Sequence, residues 1–223
     1  MSSGGGLQFD PFGWLARFVS EQRLHQLIRF GMIIVLAVFL ILRVREYQLF
    51  ALKPLWLMET LLFVVLIAAF LLRTTPLDRS RGVREIILPL VASLLPFTLL
   101  LSPPASWVVA NRLLLFGIFW WMTAATGLTV WGMWTLRHAF SITVEARTLV
   151  TGGPYRYVRH PVYLGEILAA AGVAMLRVSP LNCILLVLFV ILQLLRTRWE
   201  EAKLSRNFLE YSSFASRSYW FWK

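Results

Sequence analysis

Six polar side chains set among long apolar runs could do chemistry in this chain: His160, Tyr163 and Glu166 in one stretch, then Arg196, Glu200 and Glu201 in another. On a helix Tyr163 and Glu166 share a face, and Arg196 stands one turn before Glu200. Ahead of them, Gly152-Gly153-Pro154 permits a tight turn in which backbone approaches a ligand closely, and Pro161 suits the first turn of a helix with His160 at or beside its cap. Free N–H groups at such a helix start favour an anion. The set offers a carboxylate pair, an imidazole and a phenol, groups that move protons or meet a charged ligand. The single cysteine, Cys183, excludes an intrachain disulfide and a cysteine-based zinc site, and no metal is expected.

The elements that must position these groups follow from composition. Apolar residues make up 58% of the 223 residues, charged residues 15%, and mean hydropathy is +0.69, more apolar surface than a water-soluble globule of this size can hide. The expected fold is all-α: a polytopic integral membrane bundle with six apolar runs at 27–42, 54–72, 86–101, 113–136, 162–176 and 181–195. Residues 1–26 read as a partly disordered, interfacial tail without a signal peptide, residues 27–136 as four transmembrane helices, and 137–223 as the catalytic, cofactor-binding region. The last two runs are short, about 22 Å each as helix, and form a hairpin that spans barely or incompletely. A polar connection at 137–161 precedes the hairpin, and an amphipathic helix follows it, opened by Glu200 and Glu201 and ending in interface-seeking aromatics at 219–222. The hairpin therefore brings connection and tail together around a pocket at one membrane surface.

Charge sets the orientation. The net +11 falls mostly between apolar runs, which fits cytoplasmic loops beside anionic lipid and excludes nucleic acid as a partner. With the amino terminus inside, 17 Lys and Arg lie on the cytoplasmic side and five outside, so both termini and the pocket are expected to be cytoplasmic. Arg156 and Arg159 are equally explained by this bias and by function. Glu166 is an ionisable group near or within the bilayer, functional by default or paired with an arginine of the connection.

The stretch GGPYRYVRHPVYLGE, followed beyond the hairpin by RTRWEEAKL, resembles the isoprenylcysteine carboxyl methyltransferase and phospholipid methyltransferase family of integral membrane enzymes. The resemblance covers residues 135–215 and implies S-adenosylmethionine as cofactor. It implies that Tyr155, His160 and Tyr163 line the cofactor pocket, that Leu164 and Gly165 pack against it, and that Glu201 holds the cofactor's amino group. Arg196, Glu200 and Glu166 are the catalytic candidates, with Arg196 orienting Glu200 or meeting an acceptor carboxylate. The implied partners are membrane lipids and a lipophilic acceptor, a prenylcysteine-like carboxylate or a lipid amine or carboxylate, reaching the site sideways from the bilayer past Ala125 and Ala170. Where the family continues with Phe-Gly and a Glu-x-Tyr-like stretch, this chain has Asn207-Phe208-Leu209-Glu210-Tyr211, which leaves the acceptor open. Two alternatives are a membrane reductase of the sterol or quinone type, whose RHPNY segment Val162 argues against, and a family member that has kept only a binding or assembly role.

Overall fold

The computed structural model describes residues 21–49, 52–72, 82–136, 139–140 and 148–222; residues 1–20 of the tail expected at 1–26, and most of the connection between 137 and 147, lie outside them. Among the described residues every regular element is helical: α1 (Glu21–Arg45), α2 (Lys53–Leu72), α3 (Gly82–Thr98), α4 (Ser106–Ala110), α5 (Arg112–Leu136), α6 (Pro161–Leu176), α7 (Pro180–Asn207) and α8 (Tyr211–Arg217). The six apolar runs fall in α1, α2, α3 with its 3-10 extension, α5, α6 and α7. Three helices, α2, α5 and α7, are long and apolar enough to cross a membrane, while 87–101 and α6 form shorter apolar helices.

The helices pack in the order α1, α2, α5, α6, α7, α3, each against the next. The α5–α6 seam is the tightest. A Cβ on Gly165 would lie 2.8 Å from the Ala125 carbonyl, so glycine there lets the two backbones meet. Ala125, under that seam, and Ala170, packed against Leu99 and Phe189, are both buried. Asn182 pins the far end of the hairpin. Its amide donates to the Leu99 and Arg177 carbonyls at 3.1 and 2.8 Å and accepts from Ser102 at 3.2 Å.

The hairpin is less symmetrical than expected. Its second arm does not end at 195: α7 runs 28 residues without a break, about 42 Å of rod. Residues 196–207 contain neither Gly nor Pro, so nothing stops the helix when the apolar run gives out. Glu200 and Glu201 therefore stand inside α7, on the same rigid element as the apolar arm, and do not open a separate tail helix. The short α4 lies outside the expected runs.

Candidate functional site

The site forms where the connection, the start of α6 and the polar third of α7 converge. Gly153 has φ 55°, and a Cβ there would lie 2.7 Å from the Thr135 hydroxyl, so only glycine lets the turn lie against the end of α5. The chain then makes one 3-10 turn at Gly153–Arg156, closed by the Tyr157 N–H donating to the Pro154 carbonyl at 3.1 Å. This buries Tyr155. Pro161 supplies the first helical position of α6, and His160 is its cap by position, but the imidazole makes no capping bond. It reaches across to α7 instead.

There Glu201 gathers three donors. Its Oε1 accepts from Arg159 Nη1 at 3.1 Å and pairs with His160 Nε2 at 3.0 Å, and its Oε2 accepts the Trp222 indole N–H at 2.7 Å. Arg159 and His160 are 5% and 4% exposed, so the cluster is held largely out of water. Buried charge is tolerated only when paired in this way. The adjacent Glu200 accepts the Tyr163 hydroxyl at 2.8 Å. Beneath that phenol the Arg196 guanidinium lies 4.9 Å from the ring centroid and donates to Gln193 Oε1 at 2.8 Å, while the Gln193 amide donates to Glu166. A continuous polar network thus descends from Glu200 into the α6–α7 seam. Glu166 meets Gln193 of α7 in that network.

A small cleft opens beside this cluster. Tyr155, Arg159, His160 and Glu200 form its polar wall, and Leu149, Leu204 and Phe214 contribute apolar surface. Tyr211 also faces it. Burial, followed by the nearby Glu200 charge, pushes the Tyr155 phenol well above its ordinary value. Burial and then Glu201 do the same for Tyr211, so both remain neutral donors across the physiological range. The Tyr211 hydroxyl and Arg159 Nε are buried and make no hydrogen bond of ordinary geometry, although the hydroxyl lies close to Arg159 and Glu201.

Of the residues expected at the site, Tyr155, His160 and Glu200 stand on the cleft wall, with Tyr163 and Glu201 bonded directly to that wall. Leu164 donates its backbone N–H to the His160 carbonyl at 3.0 Å, and Gly165 faces α5. Arg196 and Glu166 belong to the network below. Gln193, Tyr211, Trp220 and Trp222 were not among the site residues expected from the sequence. The last two had been placed at the lipid interface, yet the Trp220 ring meets His160 edge-on at 4.9 Å and its N–H lies 3.3 Å from the Thr197 hydroxyl. An alternating aromatic tail resembles an interfacial belt in sequence, and only the polar partner of each indole distinguishes the two. Among the described residues no group of His, Cys, Asp and Glu side chains could hold a metal ion.

Residues 105–210 match the family model of the phospholipid methyltransferases, a span that contains the whole hairpin and every cluster residue except those of Tyr211 onward. No curated protein and no solved structure matches the chain.

Proposed function

We propose that this chain, whose residues 105–210 match the phospholipid methyltransferase family model and lie in an apolar helical bundle, is a membrane methyltransferase that uses S-adenosylmethionine to methylate a lipophilic acceptor at the cytoplasmic membrane face. When bound, that cofactor supplies an electrophilic methyl group on a sulfonium. Its amino-acid end carries one ammonium and one carboxylate, and the cleft offers a match for both. Glu200 is the carboxylate on the wall, and Arg159 Nε and the Tyr211 hydroxyl are two buried donors beside it. These charges and donors on the cleft wall, beside the matched family span, carry the reading. Leu149, Leu204 and Phe214 suit a flat apolar base.

Glu201 shares its oxygens among Arg159, His160 and Trp222, so its part is to fix their orientation as well as to add negative charge near the ammonium. Tyr163, held over Arg196, orients Glu200. Methyl transfer is an in-line displacement that depends on alignment more than on a strong base. A carboxylate acceptor is ionised at neutral pH and needs no proton removed. An amine acceptor does, and His160 or Glu200 is the group placed to take it. The acceptor, a prenylcysteine-like carboxylate or a lipid amine or carboxylate, would present its head at the interface and leave its tail in the bilayer.

Calorimetric titration of S-adenosylmethionine into detergent-purified protein tests this reading. Binding is expected for the wild type, with His160→Ala weakened by about 1–3 kcal/mol. Equal affinity in the two proteins, both folded, would remove the site assignment.

A further inference from the structure

The segment that follows α8 is part of the site. In extended chain, successive side chains point to opposite sides. Tyr219 and Phe221 are 81% and 65% exposed, while Trp220 and Trp222 turn inward. Backbone bonds fix this register: the Tyr219 N–H donates to the Tyr157 carbonyl at 2.8 Å, and the Arg159 N–H donates to the Tyr219 carbonyl at 3.0 Å. The strap is thereby laid alongside the residues that lead into His160. Arg159 reaches further, with one guanidinium nitrogen on Glu201 and the other on the Trp222 carbonyl. Arg159, Glu201 and Trp222 close a ring of contacts.

Within that ring the two oxygens of Glu201 have different partners. The torsion that exchanges them is broad and roughly two-fold, so packing alone selects no orientation. The indole N–H on Oε2 supplies the selection and leaves Oε1 to His160 and Arg159. We infer that Trp222 is a positioning residue, whose N–H fixes Glu201 and through it the His160 imidazole at the cleft wall. The inference deepens the proposed cofactor site and rests on that reading for its binding readout alone.

The test compares Trp222→Phe, which keeps a ring beneath Arg198 but loses the N–H, with Trp222→Gln, which keeps an N–H but loses the ring. Titration of S-adenosylmethionine into the full-length protein in detergent should show Trp222→Phe about tenfold weaker than wild type, and Trp222→Gln several-fold tighter than Trp222→Phe. The acid limb of binding should move up by about one pH unit in Trp222→Phe, because a carboxylate stripped of a donor protonates more readily. The groups facing Glu201 are Arg159 and His160 from the connection and Tyr211 from α8, and the substitution leaves all three in place. In parallel, the His160 imidazole nitrogen signals, assigned by His160→Ala, should shift in Trp222→Phe and stay near the wild-type position in Trp222→Gln. Tighter binding by Phe than Gln, or an unmoved imidazole signal in Trp222→Phe, would overturn the inference. If the wild type binds no cofactor, the functional reading falls and the imidazole signals decide the positioning role by themselves.

Discussion

Glu201→Gln removes one charge and almost no volume, and the structure sets the size of its effect. Three donors converge on the two carboxylate oxygens, from Arg159, His160 and Trp222. A glutamine has one acceptor oxygen. If that oxygen faces Arg159 and His160, its NH₂ meets the Trp222 N–H across what was a 2.7 Å bond; if it faces Trp222, the NH₂ meets two donors. Either way a buried donor loses its partner, about 1–3 kcal/mol, and the Arg159 guanidinium, 4% exposed, loses its counter-charge. Removing one partner of a buried ion pair costs about 3–5 kcal/mol in total. We take about 3 kcal/mol, since Glu201 is itself 12% exposed. In a chain of this length that lowers Tm by roughly 6–12 °C. Unfolding in mixed micelles with rising denaturing detergent, followed by tryptophan fluorescence, measures the loss. Glu210→Gln, at an exposed position, is the control and should stay within about 0.5 kcal/mol of wild type. A Glu201→Gln protein as stable as that control would show that the three donors do not depend on the Glu201 carboxylate.

Other outcomes follow from the same geometry. Gly165→Ala puts a methyl group against the Ala125 carbonyl and should destabilise the protein by about 1–3 kcal/mol in the same unfolding assay, through the α5–α6 seam and not through the cleft. Burial raises Tyr155 and Tyr211 above the ordinary phenol value, so above about pH 10 the unfolded chain releases protons that the folded one keeps. Their contribution is complete below that pH and declines as pH rises beyond it, and tyrosinate absorbance from these two side chains, identified with Phe variants, should appear only together with unfolding. A cysteine at Ser212, introduced with Cys183 replaced, should resist a membrane-impermeant reagent from outside and react after permeabilisation; ready labelling of intact cells would overturn the cytoplasmic orientation. Activity on an acceptor series should rise with tail length by about 0.8 kcal/mol per buried methylene until the tail is accommodated, and equal activity on short soluble acceptors would argue for approach from water.

The bundle was legible in the sequence because lipid imposes a simple rule: backbone must be hydrogen-bonded internally, so long apolar runs become helices. The connection and hairpin were legible from Gly153, Pro161 and the apolar gap between the two polar stretches. What the residues around α7 do was harder to read. Apolar content stops at 195, but helix propensity does not, and a hydropathy profile reports only the first. Gln193 looked like an isolated polar residue in an apolar helix, and only its placement between Glu166 and Arg196 gives it a role. Arg159 was indistinguishable from a topological arginine until the fold set it against Glu201. Trp222 carries no polar signature at all beyond its N–H, and its partner stands twenty-one residues away on another element.

Methyl transfer to a lipophilic acceptor at this cleft is tested most directly by incubation of purified protein in lipid micelles with methyl-radiolabelled S-adenosylmethionine and a panel of prenylated thiols, fatty acids and phospholipid amines, followed by organic extraction. Label should pass into the organic phase with at least one acceptor, and substitution of Glu200 by Gln or His160 by Ala should reduce that transfer by about 10²-fold or more, as expected when a proton-handling or aligning group is lost. Label that remains in the aqueous phase with every acceptor, from protein that binds the cofactor and is folded, would show that the cleft does not transfer methyl groups to lipids.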